Sequence, residues 1–253
     1  MFNSDRPDPS RAASPTGPAS QTRWGQPNTL AGMAQPAATV QTGEGYLTMS
    51  FVWMTLGLLL SAGTAAVVLS LPNLLNTIAD WYIALVLLEL AFVIAVSAAI
   101  NRVGALPGLA LFFAFAILNG ATLSIIAVVY TGESIATAFV SAAAVFGAAA
   151  LYGVVTRRDL TKLGGILFMG LIGLIVMSFA NFFVGGDTLS YVIGAIGVVI
   201  FTGLTAYDVQ RLRNGNLAWV RTREAASVIG ALRLYLDFVN LFISFLRLTG
   251  SRR

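Results

Sequence analysis

Two aspartates, Asp208 and Asp237, stand inside the last two long apolar stretches of a chain that contains no histidine and no cysteine. A carboxylate at bilayer depth costs about 2.5 to 3.5 kcal/mol even on the lenient insertion scale, so it needs a partner, a water-filled cavity or a task. Without imidazole or thiol, a response to pH near neutrality has to come from carboxyl groups whose proton affinity the surroundings have moved. Two carboxylates held about 4 to 6 Å apart repel each other's second charge and share a proton over part of the pH range. A third acid, Glu89, lies midway along an earlier apolar stretch and also needs a cation or a proton.

The stretches that hold these acids define the class of the molecule. Hydrophobic residues make up 57% of the 253 and charged residues only 10%, with a mean hydropathy of +0.81; a soluble domain carries roughly 25% charged residues. The composition is that of an integral membrane protein. Apolar runs cover 46–71, 81–100, 106–130, 134–155, 163–184, 189–212 and 229–248, each close to the ~20 residues that a spanning helix requires. They predict an all-α membrane protein, a bundle of seven transmembrane helices over residues 46–250. Residues 1–45 hold six of the eight prolines among Ser, Ala, Gly and Gln. That composition cannot bury enough apolar surface to offset ordering entropy, so it predicts a disordered tail. Residues 1–30 contain no apolar run of the kind that marks a secretory signal peptide.

Loop charges predict the orientation. Asp80, Glu133 and Asp187 mark the loops after segments one, three and five, which hold no Lys or Arg, whereas the alternate loops carry Arg102, then Arg157, Arg158 and Lys162, then Arg211, Arg213, Arg221 and Arg223. By the positive-inside rule, the amino terminus and the basic loops are cytoplasmic. The pI of 9.8 then reflects topology, and the chain lacks the basic patch interleaved with stacking aromatics that nucleic-acid binding uses. One conflict stays: if segment seven spans, Arg252 and Arg253 lie on the outside. Its 20 proline-free residues favour spanning over re-entry.

At 100° per residue, Arg233, Asp237, Asn240, Ser244 and Arg247 of segment seven fall within an arc of about 80°. Such a polar stripe is not tolerated against lipid, so this helix is expected at the centre of the bundle. The other segments are rich in small residues, including 142–144, 147–150, Gly164, Gly165, Gly170, Gly173, Gly194 and Gly197, which let helix backbones approach closely around a central helix. The partners of the acids stay open at this level. Asp237 follows Arg233 by four residues, which permits an intrahelical ion pair; Asp208 has Arg211 nearby; Arg102, at the end of segment two, can compensate a carboxylate pair; Glu89 can persist as a protonated acid.

Several runs have a familiar form. Asn119, Gly120, Ala121, Thr122, Leu123 and Ser124, then Tyr130, Thr131, Ser134 and Ile135, resemble the third-helix signature of the transmembrane Bax-inhibitor-motif family, and Tyr152, Gly153, Thr156, Asp159 and Leu160 resemble its fourth-helix end. The strongest resemblance is the run from Phe201 to Gln210 around Asp208, followed by the run from Leu234 to Phe242 around Asp237. The similarity covers residues 46–250. It implies a seven-helix bundle whose central C-terminal helix is wrapped by the six others, and a pH-sensitive calcium leak across the membrane. It further implies that Asp208 and Asp237 form the pH sensor, with Arg102 as the partner of the pair and Glu89 and Arg247 as residues of ion passage or latching.

On this reading calcium is the transported ligand and no cofactor is expected. Asp208 and Asp237 are the only candidate cation ligands, and weak ones, since no Asp-x-Asp-x-Asp-Gly loop is present. Some bacterial members of the family look like modulators of a membrane-bound protease, so an interaction partner without flux of its own is the second expectation. An enzyme is not expected: no His, Cys or paired base stands near Ser124 or Thr122, and the aspartates lack the Gly-x-Gly-Asp context of intramembrane proteolysis.

Overall fold

The structure, a computed structural model, describes residues 44–215, 217, 220 and 222–252, and within them the side chains of all but 44, 45, 99–103 and 182. Most of the expected tail, as well as Arg221 and Arg253, lies outside the described residues. Among the described residues eight helices follow one another: α1 Glu44–Ser70, α2 Pro72–Asp80, α3 Tyr82–Val103, α4 Ala105–Val129, α5 Gly132–Val155, α6 Thr161–Val184, α7 Asp187–Arg213 and α8 Arg223–Thr249. Six are each long and apolar enough to cross a membrane, and α2 with α3, bent by 75° at the break between them, makes a seventh when the pair is counted as one span. The all-helical bundle expected from the apolar runs is the fold observed.

Two departures have local causes. The stretch between segments one and two, read as a loop, holds the nine-residue helix α2. Pro72 ends α1, because the residue before a proline is driven out of helical geometry, and it then opens α2, because a first-turn N–H has no partner to lose. Too short to span, α2 escapes any search for long apolar runs. It buries Ile78, and the exposed Trp81 follows it, a side chain suited to the membrane–water interface. The second departure is the start of α8 at Arg223, six residues before the apolar run at Ile229. Thr222 caps it, its Oγ1 accepting from the Ala225 N–H at 3.2 Å, and Glu224 sits in the first turn; this is ordinary N-terminal chemistry that a hydropathy window overlooks. The earlier start moves Asp237 from about two turns inside its helix to near the midpoint.

α8 is the most buried span and packs against α1, α3, α4, α5 and α7. α6 lies on α7 and reaches α8 through a hydrogen bond from Arg247 Nη1 to Ser178 Oγ at 3.3 Å. With 27 residues, α8 is about 40 Å long, and both of its ends are placed by contacts. Beyond its carboxyl end, the Ser251 carbonyl accepts from Thr131 N–H (3.2 Å) and the Ser251 N–H donates to Ser134 Oγ (2.9 Å), while Arg252 pairs with Asp187 at 2.7 Å. The helix therefore runs from the end of the basic loops to the end of the acidic ones, as a spanning segment must. Asp187 neutralises the arginine that had argued against it.

Close approach depends on glycine at the helix crossings. A methyl group at Gly120 of α4 would lie 2.7 Å from Ser61 Cα on α1, and one at Gly197 of α7 would lie 3.1 Å from Ser244 Cβ on α8. Gly63, on the same helix as Ser61, has open space around it. Gly120→Ala is expected to destabilise the bundle by about 1 to 3 kcal/mol through overpacking, whereas Gly63→Ala leaves it unchanged or slightly firmer. Thermal unfolding of the two variants in detergent, side by side, checks the difference.

Candidate functional site

Asp208 sits five residues from the end of α7, buried, and its Oδ1 accepts a hydrogen bond from Arg233 Nη1 of α8 at 3.0 Å. Arg233 thus reaches across to α7 instead of back along its own helix. Asp237 lies one turn further along α8, also buried; its Oδ2 makes no hydrogen bond, and the charged groups that face it are Asp208 and Arg233. Two acids and one arginine thus meet at the α7–α8 contact. Asp208 has the charges of both Arg233 and Arg211 acting on it, so were both acids ionised, the buried Asp237 would be the one poorly compensated, and an uncompensated buried charge is costly. One proton shared by the cluster removes that cost.

The polar stripe of α8 meets α7 at both ends, through Arg233 and Asp237 and again through Ser244 and Arg247. Below the acid cluster, Ser244 and Arg247 pack on Gly197 and Gly194, and the side chains of Asn240 and Ser244 satisfy themselves on the carbonyls of Leu236 and Asn240. Arg211 donates to Tyr207 Oη at 3.3 Å and lies over the Tyr207 ring, so the ion pair made with Asp208 is that of Arg233. The side chain of Arg102 is outside those described. Arg233 was legible in the sequence only as a possible partner of Asp237, because helical spacing says which residues share a face and nothing about which neighbouring helix a long side chain will reach.

The opposite face of α8 is bolted by a second polar assembly. Tyr235, about 160° around the helix from both Arg233 and Asp237, is fully buried. Its Oη donates to Asn119 Oδ1 at 2.8 Å and lies 2.6 Å from Ser61 Oγ. Asn119 Nδ2 donates in turn to Glu89 Oε2 (3.1 Å), and Thr122 Oγ1 donates to Glu89 Oε1 (2.6 Å). Side chains of α1, α3, α4 and α8 form one chain of hydrogen bonds that ends on a half-buried carboxylate. Phe112 and Phe115 meet the Tyr235 ring edge to face, both centroids at 5.7 Å. Glu89 and Arg247 are not joined to each other by an ion pair among the described residues; Glu89 is held by amide and hydroxyl donors, and Arg247 by Ser178.

The familiar runs acquire physical reasons here. Asn119 and Thr122 hold Glu89 while Gly120, between them, lets α4 touch α1. Gly153 lies against the Ala206 carbonyl of α7, and Gln210 fixes the α5–α6 turn by accepting from Leu160 N–H (2.9 Å) and donating to the Arg158 carbonyl (2.7 Å). Tyr130, Thr131 and Ser134 hold the chain beyond α8. The profile of the family described as "Inhibitor of apoptosis-promoting Bax1" matches residues 44–253. The chain belongs to this Bax-inhibitor family. Its relatives include the "Inner membrane protein YbhL" of Escherichia coli K12, 43% identical over 87% of this chain and 96% of that protein. Uncharacterized proteins of Deinococcus radiodurans and Borreliella burgdorferi are 38% and 37% identical, each over 82% of this chain and over 90% and 92% of their own lengths.

Among the described residues no three His, Cys, Asp or Glu side chains come together as a metal centre, whereas calcium takes six to eight oxygens. Asp208 and Asp237 can offer oxygens to a passing cation, with Arg233 competing for one of them.

Removing one partner of the buried pair exposes its energetic weight. Arg233→Met leaves Asp208 buried without its cation and is expected to cost about 3 to 5 kcal/mol, much of it regained in the double variant Asp208→Asn/Arg233→Met. Tyr235→Phe, which deletes one hydroxyl, is expected to cost about 1 to 3 kcal/mol because Asn119 and Ser61 lose a partner. Unfolding midpoints in detergent for these variants give the comparison; an Arg233→Met protein as stable as the parent would show that the pair holds nothing.

Proposed function

We propose that this protein is a pH-sensitive calcium leak of the bacterial cytoplasmic membrane, gated by the protonation of Asp208 and Asp237, with its amino-terminal side and basic loops in the cytoplasm. The observation that supports the gate best is the Asp237 Oδ2 atom, buried and without a hydrogen-bond partner, one helical turn from an ion pair that ties α7 to α8. A buried acceptor left unsatisfied is costly in the charged form. It is a natural place for a proton.

The physical sequence follows from the charges. With Asp208 ionised, Arg233 clamps α8 against α7. As pH falls, a proton enters the aspartate pair, the attraction between Asp208 and Arg233 weakens, and α8 is free to move to a second packing arrangement. α8 also carries Tyr235, so a shift along the clamp face disturbs the chain that ends on Glu89 at the opposite face. Glu89, with the Thr122 hydroxyl oxygen beside it, supplies the hard-ligand surface that a calcium ion prefers while crossing. Arg247, on the clamp face near the acidic-loop end of α8, is the cationic latch of this reading. Placement in the cytoplasmic membrane draws on the loop charges and on the likeness to a protein named for the inner membrane.

Purified protein in liposomes with a trapped calcium dye tests the reading. Flux is expected to rise as the pH is lowered from 8 to 6. Asp208→Asn, which cannot form the charged clamp, is expected to leak at the acid-side rate throughout, and Asp237→Asn to flatten the pH profile. Wild-type profiles from both variants, or no calcium flux from the parent protein at any pH, would rule the proposal out.

A further inference from the structure

The end of the bundle that bears the basic loops contains two adjoining clefts, of about 230 and 360 Å³, which share Thr161, Gln210 and Asn214. They lie where the α5–α6 turn rests on the end of α7. Arg157, Arg158 and Arg213 line one and Arg211 the other, against the single acid Asp159. The rim is rigid, because Gln210 is bonded to the turn at both Arg158 and Leu160 and Arg213 Nη1 donates to the Val154 carbonyl at the end of α5. Asp159 is already engaged: its Oδ1 accepts from the N–H (2.9 Å) and the hydroxyl (2.5 Å) of Thr161, which hold its carboxyl below the usual carboxylate range. It is ionised at neutral pH and subtracts from the field of the arginines.

A membrane-facing flank adjoins this cleft. Val155 at the end of α5 and Leu163 and Ile166 in the first turns of α6 are exposed, one on each side of the basic turn, and Tyr207 stacks under Arg211 as an interfacial aromatic does. A polar, positively charged pocket whose lining residues Thr156 and Thr161 are preceded or followed within a few positions by exposed apolar side chains matches an amphiphile with an anionic head. Basic pockets at the ends of transmembrane helices bind such heads, each arginine near the surface adding a favourable contribution, and guanidinium groups suit phosphate through paired N–H donors. We propose that the cleft between the α5–α6 turn and the end of α7 is a binding site for the phosphate of an anionic phospholipid, whose acyl chains lie along the exposed flanks of α5 and α6.

The apolar flank is what distinguishes a lipid from a free phosphate ester. Full-length protein in uncharged detergent, titrated with dioctanoyl phosphatidylglycerol, is expected to show a saturable rise in melting temperature that dioctanoyl phosphatidylcholine does not give. The variant Arg157→Gln/Arg158→Gln, altered only at exposed positions, is expected to need at least tenfold more phosphatidylglycerol for half the effect. Asp159→Asn is expected to need severalfold less, and Arg252→Gln, at the far end of the bundle, the same amount as the parent. Equal responses to the two lipids, or an unchanged titration in the arginine variant, overturn the site. Glycerol phosphate that reproduces the full shift at the same concentration overturns the lipid as its occupant.

Discussion

The ion pair between Asp208 and Arg233 is the constraint around which the bundle is arranged. A bilayer interior has no water to solvate either group, so each must find the other or be neutralised. Because one is on α7 and the other on α8, their pairing fixes the relative rotation and depth of the two most buried spans. The glycines of α7 below the pair then have to face α8, and Ser244 and Arg247 fill the space that they leave. Asp237, on the same stripe, is carried into the interior by that rotation.

The opposite face of α8 shows a different solution to the same problem. Glu89 meets no cation among the described residues and is instead solvated by Asn119 and Thr122, with Tyr235 extending the chain to α8. Both oxygens of Glu89 are thus engaged by neutral donors, whereas Arg233 engages only Oδ1 of Asp208. The two acids at the α7–α8 contact and the single acid on α3 are thus held by different chemistry. α8 sits between them, so neither assembly can be displaced without loading the other.

Much of this was legible in the sequence. The length of each apolar run named the spans, and the angular clustering of Arg233, Asp237, Asn240, Ser244 and Arg247 placed α8 at the centre, because hydropathy and helical periodicity are local quantities. What escaped was either short or long-range. α2 is too short to register as a span, and the first turns of α8 bury Ala225 to Val228 but open with the exposed charges of Arg223 and Glu224, which no hydropathy window accepts. The reach of Arg233 to α7, and the joining of Glu89 to Tyr235 through Asn119, depend on which helices become neighbours in space. The runs that resemble the family held that information only as a pattern; the contacts of Asn119, Gly120, Gln210 and Tyr130 supply its cause.

The position of α8 in the chain also bears on how the protein is made. α8 is translated after the other seven helices, yet it provides Arg233 for Asp208, Tyr235 for Ser61 and Asn119, and the surface against which α1, α3, α4, α5 and α7 pack. During synthesis the earlier spans therefore enter the bilayer with polar groups awaiting a partner that does not yet exist, and they have to be held loosely, by lipid or by the insertion machinery, until the final helix is threaded among them. Assembly of this bundle is completed at its centre, and any truncation within α8 leaves a shell with its polar lining open.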